Sequence, residues 1–159
     1  MKQLFIIALL GVSLSMTASA QTSMASLDPG SKADVDSFWP GLKSAIEKHL
    51  GRPYVWGSSG LKSFDCSGFL WRVMYENGMM TKRTTARKFY MMLPAVKETD
   101  NWKFGTVVFF DNLKHVGIID NPRAFYHAQV SLGTNRSEMN SFWKRKIYGF
   151  RQLPVSGNK

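Results

Sequence analysis

Apolar residues in the first part of the chain recur at the spacing of a helix. From Val35 onward they fall three or four residues apart, which predicts an amphipathic helix. Pro40 interrupts this pattern, so the helix either begins near Trp39 or is kinked at the proline. Gly51 is expected to end it, because glycine readily adopts the left-handed backbone that follows a helix. The apolar positions are 35, 38, 39, 42, 45, 46 and 50.

Two further helices are predicted before the pattern changes. Asp65 is a suitable N-cap for the second helix, which places Cys66 in its first turn. The Asn77-Gly78 pair is expected to stop this helix. Residues 84–92 are consistent with a third, short helix.

The second half of the chain has the texture of β-strands. Its apolar runs are short and rich in β-branched and aromatic residues, and polar turns separate them. Helices followed by strands predict the α+β class with an antiparallel sheet. The predicted strands are residues 106–110, 116–119, 124–128 and 146–153.

The N-terminus has the pattern of a signal peptide over residues 1–20. Lys2 precedes an apolar run over residues 4–14, and Ala18-Ser19-Ala20 supplies the small residues that a signal peptidase accepts. The run is shorter than the ~20 residues that cross a bilayer as a helix. We therefore expect an exported protein, periplasmic or secreted, and not lipid-anchored because no cysteine follows the cleavage point.

Composition is consistent with one globular domain after a flexible lead-in at 21–33, with the domain over 34–159. The formal net charge of +10 favours an anionic partner such as nucleic acid, a membrane surface or an acidic polymer. Export argues against nucleic acid and favours the anionic cell envelope. We expect a monomer.

The single cysteine is the first candidate for chemistry. One cysteine excludes an internal disulfide, and it excludes a zinc site built on two thiolates. At a helix N-terminus, Cys66 would experience partial positive charge that favours the thiolate. If the strands carrying His115 and His127 pair as a hairpin across Asn121-Pro122, one imidazole can exchange a proton with the sulfur while the other orients it.

Two alternatives remain on spacing alone. The cysteine can be buried and inert, with two unrelated histidines. The three side chains can also hold zinc with an open position for water. We expect no metal and no cofactor.

The motifs around these residues resemble those of the NlpC-type cell-wall cysteine peptidases. The resemblance spans roughly residues 42–153, nearly the whole predicted domain. It implies a papain-like α+β fold, with N-terminal helices packed on an antiparallel sheet and the catalytic cysteine at a helix N-terminus. The matching segments are RPYVWGSSG at 52–60, FDCSG at 64–68, HVGI at 115–118 and FYHA at 125–128.

The family resemblance also implies roles for single residues. Cys66 would be the nucleophile, His115 the general base and acid, and His127 the orienting residue of a Cys-His-His triad. The implied activity is hydrolysis of amide bonds in peptidoglycan stem peptides, often between D-glutamate and meso-diaminopimelate.

Substrate-binding residues follow from the same resemblance. Tyr54 would border the active site, and Asp65 and Ser67 would help to recognise the stem peptide. The chain departs from the usual pattern at Ser58-Ser59, where many members have glycines, and at Thr106, where an aspartate is common. A non-catalytic wall-binding module and a cysteine-dependent amidase or acyltransferase remain the alternative functions. The sequence leaves open whether a protein activator or inhibitor acts on it.

Three features have simpler interpretations. His49 is expected at the surface beside a helix C-terminus. Four methionines are expected to fill gaps in the core. Residues 142–148, which mix aromatic and basic side chains, are expected to form an edge strand protected by charge. The methionines are Met79, Met80, Met91 and Met92.

Overall fold

The computed structural model describes residues 32–155, with side chains from residue 36 onward. The predicted signal peptide and most of the predicted lead-in lie outside these residues. Three of the described helices precede the strands, as the sequence predicts, and one short helix lies between the last two strands. The helices are α1 (Lys32–Lys48), α2 (Cys66–Glu76), α3 (Ala86–Met92) and α4 (Ser141–Lys144), with a short 3-10 turn at Glu98–Asp100.

The first helix begins earlier than its apolar pattern indicates. α1 starts at Lys32, so residues 32 and 33, predicted as lead-in, are helical. Pro40 lies inside the helix rather than at its start. Gly51 follows with a φ of 75°, the left-handed conformation that glycine tolerates best.

The next two helices begin at residues whose side chains cap them. The Asp65 carboxylate accepts a hydrogen bond from the Gly68 backbone N–H at 2.6 Å, and α2 begins at Cys66. Thr85 caps α3 by accepting from the Lys88 backbone N–H at 3.3 Å. Each cap satisfies a backbone donor that the first turn leaves unpaired.

The strands form one antiparallel sheet in the order β4-β3-β2-β1-β5. All four predicted strands are present, with ends that differ by up to two residues. The β2–β3 hairpin predicted across Asn121-Pro122 is confirmed, with Gly117 opposite His127. The strands are β1 (Val107–Phe110), β2 (His115–Asn121), β3 (Ala124–Gln129), β4 (Gly133–Glu138) and β5 (Ile147–Arg151).

Two elements differ from the prediction for the C-terminal part. β4 has the polar sequence GTNRSE, so it has no apolar alternation to identify it, yet it pairs with all of β3. Residues 142–144 of the predicted edge strand belong to α4 instead, because Asn140 caps a helical turn by accepting from the Trp143 backbone N–H at 3.2 Å. β5 alone is the edge strand there.

Apolar side chains lie on both faces of the sheet. On one face, Val107, Phe109 and Ile118 pack with residues of α1 and α2 in the main core. On the other face, Val108, Phe110, Ile119, Phe125 and Met139 form a second cluster. The partly buried residues that cover the second cluster are Trp102, Trp143, Ile147 and Phe150.

The predictions that His49 lies at the surface and that all four methionines fill the core are wrong. His49 is 2% exposed, because it continues the buried stripe of Leu42 and Ile46, and it lies 2.9 Å from the Glu76 carboxylate through Nε2. Three of the four methionines are exposed, with Met80 at 80%. The exposed methionines are Met80, Met91 and Met92.

None of the helices within residues 32–155 combines the length and apolarity that a membrane crossing requires.

Candidate active site

The loop before α2 is held by the carboxylate of Asp65. This side chain is buried, and it accepts from the Gly57 backbone N–H at 2.8 Å and from the Ser67 hydroxyl at 3.1 Å, besides capping α2 through Gly68. Arg83 donates to both carboxylate oxygens at 2.6 Å. The paired charges fix the turn from which α2 and Cys66 project.

Gly68 allows the same loop to lie directly on the helix. A Cβ at this position would overlap the carbonyl oxygen of Ser58 and lie 3.1 Å from an Asp65 oxygen. The Asp65 backbone N–H donates to that same Ser58 carbonyl at 2.9 Å. Only glycine therefore permits this close approach of the loop to the first turn of α2.

Short backbone pairing brings Tyr54 beside Cys66. The Val55 N–H donates to the Phe64 carbonyl at 3.0 Å, and the Phe64 N–H donates to the Pro53 carbonyl at 3.1 Å. Burial raises the pKa of the Tyr54 hydroxyl, and the neighbouring Cys66 and Asp65 raise it further. Tyr54 is therefore a protonated donor at the edge of the site, where the sequence placed it.

Cys66 lies against the start of strand β2. Its side chain is 8% exposed, and Sγ lies 3.9 Å from the Lys114 carbonyl oxygen. The backbone N–H groups of Val116 and Ser67 lie near enough to the sulfur to favour its charged form and lower its pKa. Lys114 and Val116 flank His115, so the sulfur contacts the backbone on both sides of that histidine.

The predicted thiolate is not the resting form of Cys66. Burial, with the nearby Asp65 carboxylate, raises the pKa of the Cys66 thiol to about 11. The two backbone N–H groups and Arg83 lower it by less. The helix N-terminus acts in the expected direction, but the loss of hydration is larger, so the free protein holds a neutral thiol.

The raised thiol pKa predicts the pH dependence of alkylation. Iodoacetamide reacts with the thiolate, so labelling of Cys66 is expected to be slow at neutral pH and to keep accelerating above the ordinary thiol value of 9.0. Mass spectrometry of the labelled protein gives the rate, with a free small thiol as the reference. A rate that reaches its plateau below neutral pH would contradict the neutral-thiol state.

His115 and His127 meet across the β2–β3 hairpin. The Nε2 atom of His115 lies 2.7 Å from Nδ1 of His127, a hydrogen-bond distance. Gly117 lies opposite His127, and a Cβ there would approach the Phe125 ring to 2.7 Å, so glycine lets the Phe125 ring pack against this part of β2. The two histidines predicted to act together are therefore joined directly.

A tight turn precedes His115. Three successive residues have left-handed backbone: Asp111 at φ 50°, Asn112 at 53° and Leu113 at 68°. Aspartate and asparagine tolerate this conformation, but leucine does not favour it. Burial of the Leu113 side chain in the main core holds the turn, which sets where β2 begins and so where His115 lies.

Both imidazoles are neutral at ordinary pH. Burial lowers the pKa of His115 to about 4 and that of His127 to about 3, where the neighbouring His115 lowers it further. The indole of Trp143 stacks on the His115 ring at 5.6 Å between centroids and meets the His127 ring edge-on at 5.0 Å. This tryptophan, which sequence reasoning assigned to an edge strand, covers the pair.

Removing the indole cover is expected to raise the pKa of His115. In a Trp143→Ala variant, water reaches the ring and the burial that lowers its pKa to about 4 is reduced, so the value moves toward 6.5. Proton NMR titration of the imidazole signals measures this shift. Trp143→Phe is the matched control, because it keeps an aromatic ring over His115. An unchanged titration in the alanine variant would show that the indole does not exclude water.

An open cleft of about 510 Å³ adjoins the histidine pair. Asp65 and Ser67, predicted to recognise substrate, do not line it; their polar atoms are engaged with each other and with Arg83. The lining residues are Tyr54, Asp111, Asn112, Lys114, His115, Ala128, Gln129, Val130 and Trp143.

The three candidate side chains do not have the geometry of a metal site. One nitrogen of His115 faces one nitrogen of His127 at 2.7 Å, so those two atoms cannot both ligate a common ion. No group of three or more His, Cys, Asp or Glu side chains within the described residues is arranged to hold a metal ion.

Comparison with known proteins identifies the family. A model of the NlpC/P60 family matches residues 51–152. The chain is similar to LytE of Bacillus subtilis, named a probable peptidoglycan endopeptidase, with 31% identity over 116 residues that cover 70% of this chain and 34% of LytE. It is similar to MepH of Escherichia coli, named a murein DD-endopeptidase, with 28% identity over 136 residues that cover 77% of this chain and 48% of MepH.

A solved structure supports the same conclusion. A protein from Staphylococcus aureus, described as similar to lipoprotein and of the NLP/P60 family, superposes with a TM-score of 0.65 and 26% identity, covering 77% of this chain and 43% of that one. The chain thus spans half or less of the length of these relatives. Since the family model covers residues 51–152, which include Cys66, His115 and His127, the chain belongs to the NlpC/P60 family.

Proposed function

We propose that the protein is an exported cysteine endopeptidase that hydrolyses amide bonds in peptidoglycan stem peptides. The observation that carries the proposal is the 2.7 Å contact between His115 and His127, with the Cys66 sulfur against the backbone on both sides of His115. These contacts support Cys66 as the proposed nucleophile, His115 as the proposed base and His127 as the proposed orienting group, in a chain similar to LytE, which is named a probable peptidoglycan endopeptidase.

The first half of the reaction uses the neutral pair. Nε2 of His115 is occupied by His127, so Nδ1, the ring nitrogen nearer the backbone that Cys66 contacts, takes the thiol proton as Sγ attacks the scissile carbonyl. The sulfur–carbon bond forms while the carbonyl π-bond becomes an oxyanion. The Cys66 backbone N–H and the Tyr54 hydroxyl are the donors proposed to hold that oxygen.

The second half regenerates the enzyme. The His115 imidazolium gives its proton to the leaving amine as the carbon–nitrogen bond breaks, which leaves a thioester on Cys66. Neutral His115 then removes a proton from water as the water oxygen attacks the thioester carbonyl. The carbon–sulfur bond breaks, the acid leaves, and the His115 imidazolium returns its proton to the Cys66 sulfur. His127 keeps the His115 ring in place through both steps.

The substrate residues divide into two kinds. Tyr54 lines the cleft and is proposed to contact the stem peptide. Asp65 and Ser67 are proposed to act through the loop that they hold and through Arg83, because their polar atoms are already engaged by these protein groups.

The bond proposed is that between D-glutamate and meso-diaminopimelate. The name of MepH favours a second candidate, the DD cross-link between stem peptides. Incubating the protein with a defined stem tetrapeptide and with a cross-linked dimer, followed by mass spectrometry, separates the two. A free diaminopimelate-containing dipeptide supports the first bond, and two intact tetrapeptides support the second.

The same incubation distinguishes other classes of function. If neither peptide is cleaved but the protein co-sediments with purified sacculi, the wall-binding alternative replaces the proposal. If an added amine captures the acyl group in place of water, the chain is an acyltransferase. Inactivity with no wall binding contradicts a cell-wall role altogether.

Export with removal of residues 1–20, which contain one lysine and no acidic residue, would bring a protein with a formal net charge of +9 to the anionic cell envelope. Its binding to sacculi is therefore expected to weaken as salt is raised, because ions screen charges between exposed groups. Co-sedimentation across a salt series measures this. Binding that is independent of ionic strength would assign the positive charge another purpose.

A further inference from the structure

A chain of hydrogen bonds continues behind His127 into the edge strand β4. Nε2 of His127 lies 2.8 Å from the Ser137 hydroxyl oxygen, and that hydroxyl lies 2.8 Å from Oδ1 of Asn135. Asn135 is directly opposite His127 in the β3–β4 ladder, and Ser137 is two residues further along the same face. Neither residue belongs to the motifs that identify the family.

At the far end of this series of hydrogen bonds, the donor and the acceptor can be assigned. The Asn135 side-chain amide lies 2.8 Å from the Gly133 carbonyl oxygen through Nδ2. A carbonyl oxygen only accepts, so the NH₂ group must face Gly133 and the amide oxygen must face Ser137. Gln129 donates to the same amide oxygen at 3.4 Å, which favours the same orientation.

The assignment at Asn135 determines the donor and the acceptor in each hydrogen bond up to the two imidazoles. Because the Asn135 oxygen only accepts, the Ser137 hydroxyl proton points at it, and the Ser137 oxygen must accept from Nε2–H of His127. A neutral His127 then has a bare Nδ1. That atom accepts from Nε2–H of His115, and a neutral His115 has its bare nitrogen at Nδ1.

We propose that Asn135 and Ser137 are positioning residues that set the tautomers of both histidines, so that the free base of the pair is Nδ1 of His115. The catalytic consequence depends on the proposed peptidase function, whereas the tautomers do not. If the Ser137 proton turned to His127 instead, the Ser137 and Asn135 oxygens would face each other at 2.8 Å with no proton between them. The structure thus selects one arrangement of protons.

The tautomers can be measured in the free protein without any substrate. Long-range proton–nitrogen NMR of the uniformly nitrogen-15-labelled protein at neutral pH distinguishes bare from protonated ring nitrogens. His115→Gln and His127→Gln variants assign the signals. We expect both rings to carry the proton at Nε2 in the wild type. A proton at Nδ1 of either ring overturns the proposal, whatever the protein hydrolyses.

Variants of Ser137 test the effect on catalysis. Ser137→Ala removes the acceptor for His127, so its ring is expected to show a mixture of tautomers and kcat to fall about tenfold, the effect of one hydrogen bond, with KM unchanged. Ser137→Thr keeps the hydroxyl and is expected to restore both properties. Ser131→Ala, an exposed position in the turn of the same hairpin, is the matched control.

The outcomes separate this inference from the proposed function. A wild-type protein that cleaves no stem peptide refutes the peptidase proposal and leaves the NMR result to decide the tautomers. A Ser137→Ala protein that keeps wild-type kcat and a single Nε2–H tautomer refutes the positioning role. A fall in kcat that Ser137→Thr does not rescue, with tautomers unchanged, also refutes it.

Discussion

Replacing Cys66 by alanine abolishes stem-peptide hydrolysis, with an expected loss of at least about 10⁴-fold, while the protein stays folded. No second thiol can take the place of the nucleophile, because Cys66 is the single cysteine of the chain. The structural cost is small, since the thiol makes a weak contact of 3.9 Å to the Lys114 carbonyl and loses a single heavy atom. We expect a destabilisation of about 1 kcal/mol.

The measurement pairs activity with thermal unfolding and wall binding. Stem-peptide cleavage is followed by mass spectrometry, and unfolding by circular dichroism. Ser44→Ala, an exposed change on α1, is a control that keeps wild-type activity. A Cys66→Ala protein with near-native hydrolysis would remove Cys66 from the mechanism. A variant that is inactive because it is unfolded would show a lost thermal transition instead.

Replacing Asp65 by asparagine destabilises the fold by about 3 kcal/mol, the low end of the cost of breaking a buried ion pair, because Arg83 is 25% exposed. The carboxylate accepts from Gly57, Gly68, Ser67 and Arg83, so both of its oxygens face donors. An asparagine of the same shape must turn its NH₂ group toward one set of these donors. The Arg83 guanidinium, mostly buried, then loses its counter-charge.

Denaturant unfolding measures this loss of stability. Asp100→Asn is the matched control, because Asp100 makes a surface ion pair with Lys103 at 2.7 Å and its removal is expected to leave the midpoint unchanged. Activity should fall in Asp65→Asn as the loop that positions Cys66 loosens. If Asp65→Asn unfolds at the wild-type midpoint, the Asp65–Arg83 pair does not hold the loop.

Periodic and motif-bearing parts of the chain could be predicted from sequence. The first three helices and four strands have apolar spacing or capping residues that identify them, and the β2–β3 hairpin follows from its turn. The meeting of His115 and His127 follows from that hairpin. These features depend on residues that are close together in the sequence, so they can be predicted from the sequence of one protein.

Elements stabilised by their neighbours could not be predicted. β4 is polar and forms because β3 offers it a full ladder. α4 depends on the Asn140 cap, and its Trp143 is recognisable as a cover only once the histidine rings lie beneath it. Nothing in the sequence marks Ser137 as a positioning residue, since it is only a small polar residue two positions after Asn135.

The protonation state of Cys66 shows the same limit. A helix N-terminus is visible in the sequence and favours the thiolate, but the burial that raises the thiol pKa to about 11 is a property of the packed site. The neutral imidazoles, with pKa values of about 4 and 3, have the same origin. In the proposed mechanism, attack therefore begins from a thiol and a neutral base.

Digestion of purified sacculi by the wild-type protein and by Cys66→Ala tests the central claim most directly. Mass spectrometry of the released material identifies the bond that was cut. We predict that only the wild type produces stem peptides with a new carboxylate on D-glutamate and a new amine on diaminopimelate. If stem peptides stay intact after sacculi are exposed to the folded wild-type protein, the account is contradicted.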